Sequence, residues 1–151
     1  MAHLPQLEYI IDTYHDGDRS AAGIATQAVN NSSDWFHVRY GERTFLFTGD
    51  NVKKREKRND ESADRMTARY LPILGKADVV KYIQHGYKRD AGAVDMMAFD
   101  PRYVIIGAED STGGEAIRQK HPQNSVKIVN FATQSYVFST DGKTLNISPE
   151  V

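Results

Sequence analysis

A chain of 151 residues, 40% hydrophobic and 26% charged, is long enough to bury one core and short enough to be one domain. Its formal net charge of −1 argues against a general polyanion binder, and the absence of Cys excludes disulfides, thiolate zinc sites and a cysteine nucleophile. Any metal must be held by His and carboxylates, and with no apolar run near about eighteen residues and no charged-then-apolar leader the chain reads as soluble and cytoplasmic.

Leu7 to Ile11 predicts a short strand, followed by the turn chemistry of Tyr14-His15-Asp16-Gly17-Asp18. Ser20 to Val29 is Ala-rich and predicts a short helix, which Asn30-Asn31-Ser32-Ser33 breaks. Residues 1–29 are thus a strand and helix segment without a clear assignment, and residues 30–151 hold the rest of the body. Trp35 to Tyr40 and Thr44 to Phe47, separated by Gly41-Glu42, predict a β-hairpin. Phe45, Leu46 and Phe47 stiffen the second strand, Gly49 lets the chain turn, and Asp50 is left at the strand's carboxyl end, where sites in α/β folds collect.

Dense charge from Asn51 to Arg69 predicts an exposed helix, closed by Leu71-Pro72-Ile73-Leu74-Gly75. Ala77 to Ile83 has a buried-strand pattern and ends in Gln84-His85-Gly86, so a second strand delivers polar groups at its carboxyl end. Ala91 to Ala98 predicts a short helix, Asp100-Pro101 a break, and Tyr103 to Ile106 a strand. Glu115 to Lys120 reads as helix after Thr112-Gly113-Gly114. Val126 to Phe131 and Ser135 to Ser139 follow as strands, and Asp141-Gly142 turns into a last strand, Thr144 to Ile147. The class is α/β, a mixed β-sheet with flanking helices.

That order resembles the second half of the metallo-β-lactamase fold, in particular the hydrolase domain associated with competence and DNA-uptake proteins. The residues that carry it are Asn30 to Ser33, Phe45-Leu46-Phe47-Thr48-Gly49-Asp50, Ala77-Asp78-Val79-Val80-Lys81 leading to Gln84-His85-Gly86, Pro101 to Ile106, and the closing Ser139-Thr140-Asp141-Gly142. The resemblance implies half of a four-layer αββα sandwich, with one or two divalent metals, zinc or manganese, between two sheets. It also implies that the acid at the position of Asp50 binds metal. Cationic charge makes bound hydroxide a nucleophile at neutral pH, and such cations want carboxylate and imidazole.

The chain also departs from that family. The family's signature of two His flanking one residue, then an Asp-His pair, lies upstream of the Thr-Gly-Asp, and here only Tyr14-His15-Asp16-Gly17-Asp18-Arg19-Ser20 approaches it; we read that stretch as a polar turn. Two consecutive His are common where this chain has Gln84-His85, leaving open which of the two matches the ligand. The loop from Gly107 to Gly114, where another His is usual, offers Glu109 and Asp110.

Each candidate has a plainer reading beside it. Asp50 has the chemistry of an N-cap for the charged helix, and His85 alone reads as a structural His. His37, alternating with Trp35 and Arg39, is expected to point outward; His121 reads as a helix end, His3 as a loose terminus, and Trp35 as core. Lys53, Lys54, Arg55, Lys57 and Arg58 read as a solvated helix face that, beside Asp50, would attract phosphates or nucleic acid.

A hydrolytic zinc site takes about three protein ligands, and this chain offers Asp50 and His85. The expectation is therefore a domain related to metal-dependent hydrolases of phosphoesterase or nuclease type, with its metal site incomplete within the chain. The chain is then half of a longer hydrolase, a degenerate homologue kept for interaction or assembly, or one whose site another chain completes. Half a sandwich would expose an apolar sheet face, so a homo-oligomer or a partner chain is expected to cover it.

Overall fold

The computed structural model describes residues 6–10, 33–50, 63–86, 96–107, 112–120 and 126–150, which form a mixed α/β fold. Among the described residues six strands make one sheet in sequence order: β1 (Gln6–Ile10), β2 (Trp35–Tyr40), β3 (Arg43–Phe47), β4 (Val79–Lys81), β5 (Tyr103–Ile106) and β6 (Lys127–Asn130). β1, β2 and β3 run antiparallel, whereas β3 to β6 are parallel. Because β1 pairs with β2 along its whole length, the N-terminal strand belongs to the same sheet as the rest. A second sheet consists of the antiparallel hairpin β7 (Tyr136–Thr140) and β8 (Leu145–Pro149).

Period-2 alternation in the strands sorts the apolar residues into two cores. Trp35, Leu46, Val80, Val104 and Ile106 face one side, against Met66 and Leu74 of α1 (Ala63–Leu74), Ile117 of α2 (Thr112–Lys120), and the 3-10 turns Ile83–Gly86 and Met96–Phe99. Val79, Tyr103, Ile105 and Val129 face the other, against Leu145 with Tyr136, Phe138 and Ile147 of the hairpin. The layers are helices, large sheet and small sheet. α1 ends where Gly75 takes a left-handed φ of 68° and donates its N–H to Leu71 O at 2.9 Å.

The hairpins found at Trp35 to Phe47 and Tyr136 to Pro149 agree with the sequence reading, and so does the strand Tyr103–Ile106. Three readings need correction. The strand expected over Ala77 to Ile83 is only Val79–Lys81, because Asp78 is engaged by the neighbouring strand and the chain from Ile83 turns sharply. α2 starts at Thr112, ahead of the expected Glu115. His37, expected to point outward, is fully buried on the face it shares with Trp35, since that face lies under the helices.

The exposed apolar sheet face expected of half a sandwich is mostly covered. The hairpin closes it over β4 to β6, and the cross-strand pair Phe36 and Phe47 keeps it partly open, at 37% and 40% exposure. The helix expected at Ser20 to Val29, residues 51–62 of the helix expected at Asn51 to Arg69, the basic run from Lys53 to Arg58, residues 91–95 of the helix expected at Ala91 to Ala98, the polar turn at Tyr14 to Ser20, Glu109, Asp110, His3 and His121 lie outside the described residues.

The two hairpin tips touch. Of the two loop residues Gly41 alone has a positive φ (59°), the combination of a type II′ turn, and Glu42 N donates to Gly142 O at 2.6 Å. A Cβ on Gly41 would stand 2.5 Å from that oxygen. Gly41→Ala is therefore expected to lower stability by about 2 kcal/mol, from the left-handed backbone and the lost approach together, measured by urea unfolding.

In the other tip Asp141 Oδ1 accepts from Thr144 N (2.7 Å), Lys143 N (2.9 Å) and Thr144 Oγ1 (2.8 Å). These bonds, Thr144 N foremost, pull its carboxyl down to about 2. A carboxyl depressed by folding stabilises fully above its unfolded value of about 4, and that contribution is lost as pH falls toward 2. The Lys143 and Thr144 amide resonances are expected to leave their folded positions over that window, and Asp141→Asn should abolish this titration.

Candidate functional site

Two neighbouring parallel strands end at the same rim of the sheet. After β3, Thr48 is buried and its Oγ1 donates to Lys81 O at 2.7 Å, tying the exit of β3 to the last residue of β4. Gly49 passes so close to Ser33 that a Cβ would lie 2.2 Å from the Ser33 Cβ, so only glycine fits there. Asp50 N then donates to Ser33 Oγ at 3.0 Å, and the Asp50 backbone O accepts from Gln84 Nε2 at 2.6 Å. The acid's backbone is thus held from both sides.

After β4 the chain makes an unusual turn. Gln84, His85 and Gly86 all have positive φ, at 48°, 57° and 79°. For Gln84 and His85 this backbone is strained by about 1–3 kcal/mol each, and it persists because the surroundings hold it. Gln84 is buried with its amide bonded to the Asp50 carbonyl, His85 O accepts from Gly107 N at 2.8 Å, and Gly86 lies against Ile106, where a Cβ would come within 2.4 Å of Cγ2. The outcome is an imidazole aimed back along the rim.

Asp50 Oδ2 and His85 Nε2 stand 3.4 Å apart, both side chains about half exposed, at 41% and 51%. The two residues singled out in the sequence therefore meet at one site. On the other side of the carboxylate, Lys81 Nζ lies 3.8 Å from Asp50 Oδ1. Burial lowers the Lys81 amine below the ordinary lysine range, and the Asp50 charge opposes that shift. Lys81 escaped the sequence reading, although a lysine sharing a strand face with buried Val79 was a usable signal.

Chemically this is a carboxylate flanked by an ammonium and an imidazole, open to solvent. As a cation site it offers two donors, Asp50 Oδ2 and His85 Nε2. Gln84 is no ligand in this arrangement, because its side chain is used on the Asp50 carbonyl. Among the described residues no group of three His, Asp or Glu could hold a metal, so the donors present do not by themselves complete a hydrolytic metal site. Among the same residues no helix is long and apolar enough to cross a membrane.

The chain matches no family model, and no curated protein and no solved structure matches it either.

Gln84 is the positioning residue of this rim. Gln84→Leu is expected to lower stability by about 1–2 kcal/mol, since the Asp50 carbonyl loses its partner. It should also shift the His85 imidazole resonances toward their positions in Asp50→Ala. Unchanged resonances would show that the Gln84 amide does not hold the pair.

Proposed function

We propose that this chain is a metallo-β-lactamase-like domain related to metal-dependent hydrolases of phosphoesterase or nuclease type, to whose site it contributes Asp50 and His85. The supporting observation is the 3.4 Å approach of a carboxylate and an imidazole at the carboxyl ends of adjacent parallel strands, where α/β folds collect their sites. The order of elements around it, hairpin, helix, strand, strand, helix, strand, hairpin, supports the same reading. Zinc or manganese suits an oxygen and imidazole donor set, and the further donors would come from residues outside the described set or from a partner chain. In a chain without Cys we place this activity in the cytoplasm.

Specific observations favour a second reading, an assembly domain with a degenerate site. Lys81 already supplies positive charge beside Asp50, and the paired Phe36 and Phe47 leave part of a sheet face open to a second copy or a partner chain.

Metal content separates the two. After chelation and reloading with zinc or manganese, the hydrolase reading expects one ion per chain, lost in Asp50→Ala and weakened roughly tenfold or more in His85→Ala, with the circular dichroism spectra unchanged. No retained ion in a folded wild-type chain overturns that reading. The assembly reading then predicts self-association by analytical ultracentrifugation that Phe47→Ser weakens. Affinity for nucleic acid through Lys53, Lys54, Arg55, Lys57 and Arg58 would instead fall steeply with salt.

A further inference from the structure

At the far edge of the large sheet, β6 has no strand beyond it among the described residues, and a cavity of about 410 Å³ opens between this edge, α2 and the hairpin. That volume is within the range of about 300–1,000 Å³ of small-molecule sites. Lys127 and Arg118 bring two cations to its wall, and Tyr103 and Tyr136 bring two rings. The sheet register sets Lys127 directly beside Tyr103, and its Nζ lies 6.0 Å from that ring's centroid. Both rings are braced from behind. Tyr103 meets Phe138 edge to face at 5.7 Å, and Tyr136 stacks on Phe131 at 5.9 Å and 17°.

Two cations with no carboxylate in the lining select an anion, while rings together with Val129, Ile147 and Pro149 select a flat apolar body. We propose that this cavity binds a nucleoside monophosphate, either free or as the phosphorylated end of a nucleic acid strand, with the base against the tyrosines and the phosphate on Lys127 and Arg118. Ring stacking beside a cationic wall is how proteins hold unpaired nucleotides without reading their sequence. The site is separate from Asp50 and His85. Tyr103 and Lys127 begin their strands, whereas the acid and imidazole follow the ends of β3 and β4, so the two sites lie at opposite ends of the parallel strands.

Calorimetric titration of the full chain with AMP tests this. Saturable binding of one AMP per chain is expected, weakened about tenfold or more in Lys127→Glu and in Arg118→Glu, with adenosine and inorganic phosphate each binding more weakly than AMP. Lys127→Gln replaces the charge reversal if that variant does not fold. Asp50→Ala should leave AMP binding unchanged, so failure here is distinguishable from failure of the metal reading. A 5′-phosphorylated oligonucleotide that displaces AMP and binds more tightly assigns the strand end, and AMP alone binding assigns the free nucleotide. No AMP binding, binding that survives the loss of both cations, or phosphate binding as tightly as AMP overturns the proposal.

Discussion

The Asp78 carboxylate accepts from Thr44 N at 2.9 Å and from Arg43 Nη1 at 3.0 Å, joining the start of β3 to the residue before β4 while largely shielded from water. Thr44 Oγ1 adds bonds to Lys76 O and receives Asp78 N. This bonded corner sets the height of one parallel strand against the other, giving the pairs Phe45 with Val79, Leu46 with Val80 and Phe47 with Lys81. A slip of one residue would turn each apolar side chain to the wrong core and move the strand end by about 3.3 Å. That distance is comparable with the whole separation of Asp50 and His85, so the contact at the carboxyl rim depends on the corner at the amino rim.

The rim itself is a balance of constraint against strain. Two consecutive left-handed residues that are not glycine oppose the turn after β4, and the hydrogen bonds at Asp50 O and His85 O, with Ile106 packed behind Gly86, hold it. Charge is balanced as well. Asp50 lies between Lys81 and an imidazole that becomes an ion-pair partner whenever it is protonated, so the carboxylate stays half exposed without being an isolated charge.

Much of this was legible in the residues, for identifiable reasons. Trp35 to Tyr40 and Tyr103 to Ile106 alternate or run apolar with β-branched and aromatic side chains, so their strands begin and end where the pattern does. Asp50 and His85 stood out because a strand, a glycine and a polar group at a carboxyl end form a local signal. The burial of His37 had no such signal: alternation assigns a residue to a face, but the helices that cover that face come from a distant part of the chain. The left-handed Gln84 and His85 were equally silent, since tertiary bonds rather than a glycine impose that backbone. Lys81 looked like one charge in a buried strand until Asp50 was placed beside it.

The shortage of metal donors follows from topology. In a sheet that switches from antiparallel to parallel at β3, the carboxyl rim receives the ends of β3, β4, β5 and β6 and the start of β2. Those five places deliver Asp50, His85, Gly107, Phe131 and Ser33 with Asp34. Gly107 has no side chain, Phe131 has no donor, and Ser33 is spent on Asp50 N. Asp34 remains the nearest carboxylate in sequence, yet it does not join Asp50 and His85 in any group of three able to hold a metal. The described part of the sheet therefore presents an acid and an imidazole and no third donor. A catalytic metal at this rim requires groups brought from outside that set, and the number of ions held per chain is the quantity on which the hydrolase reading depends.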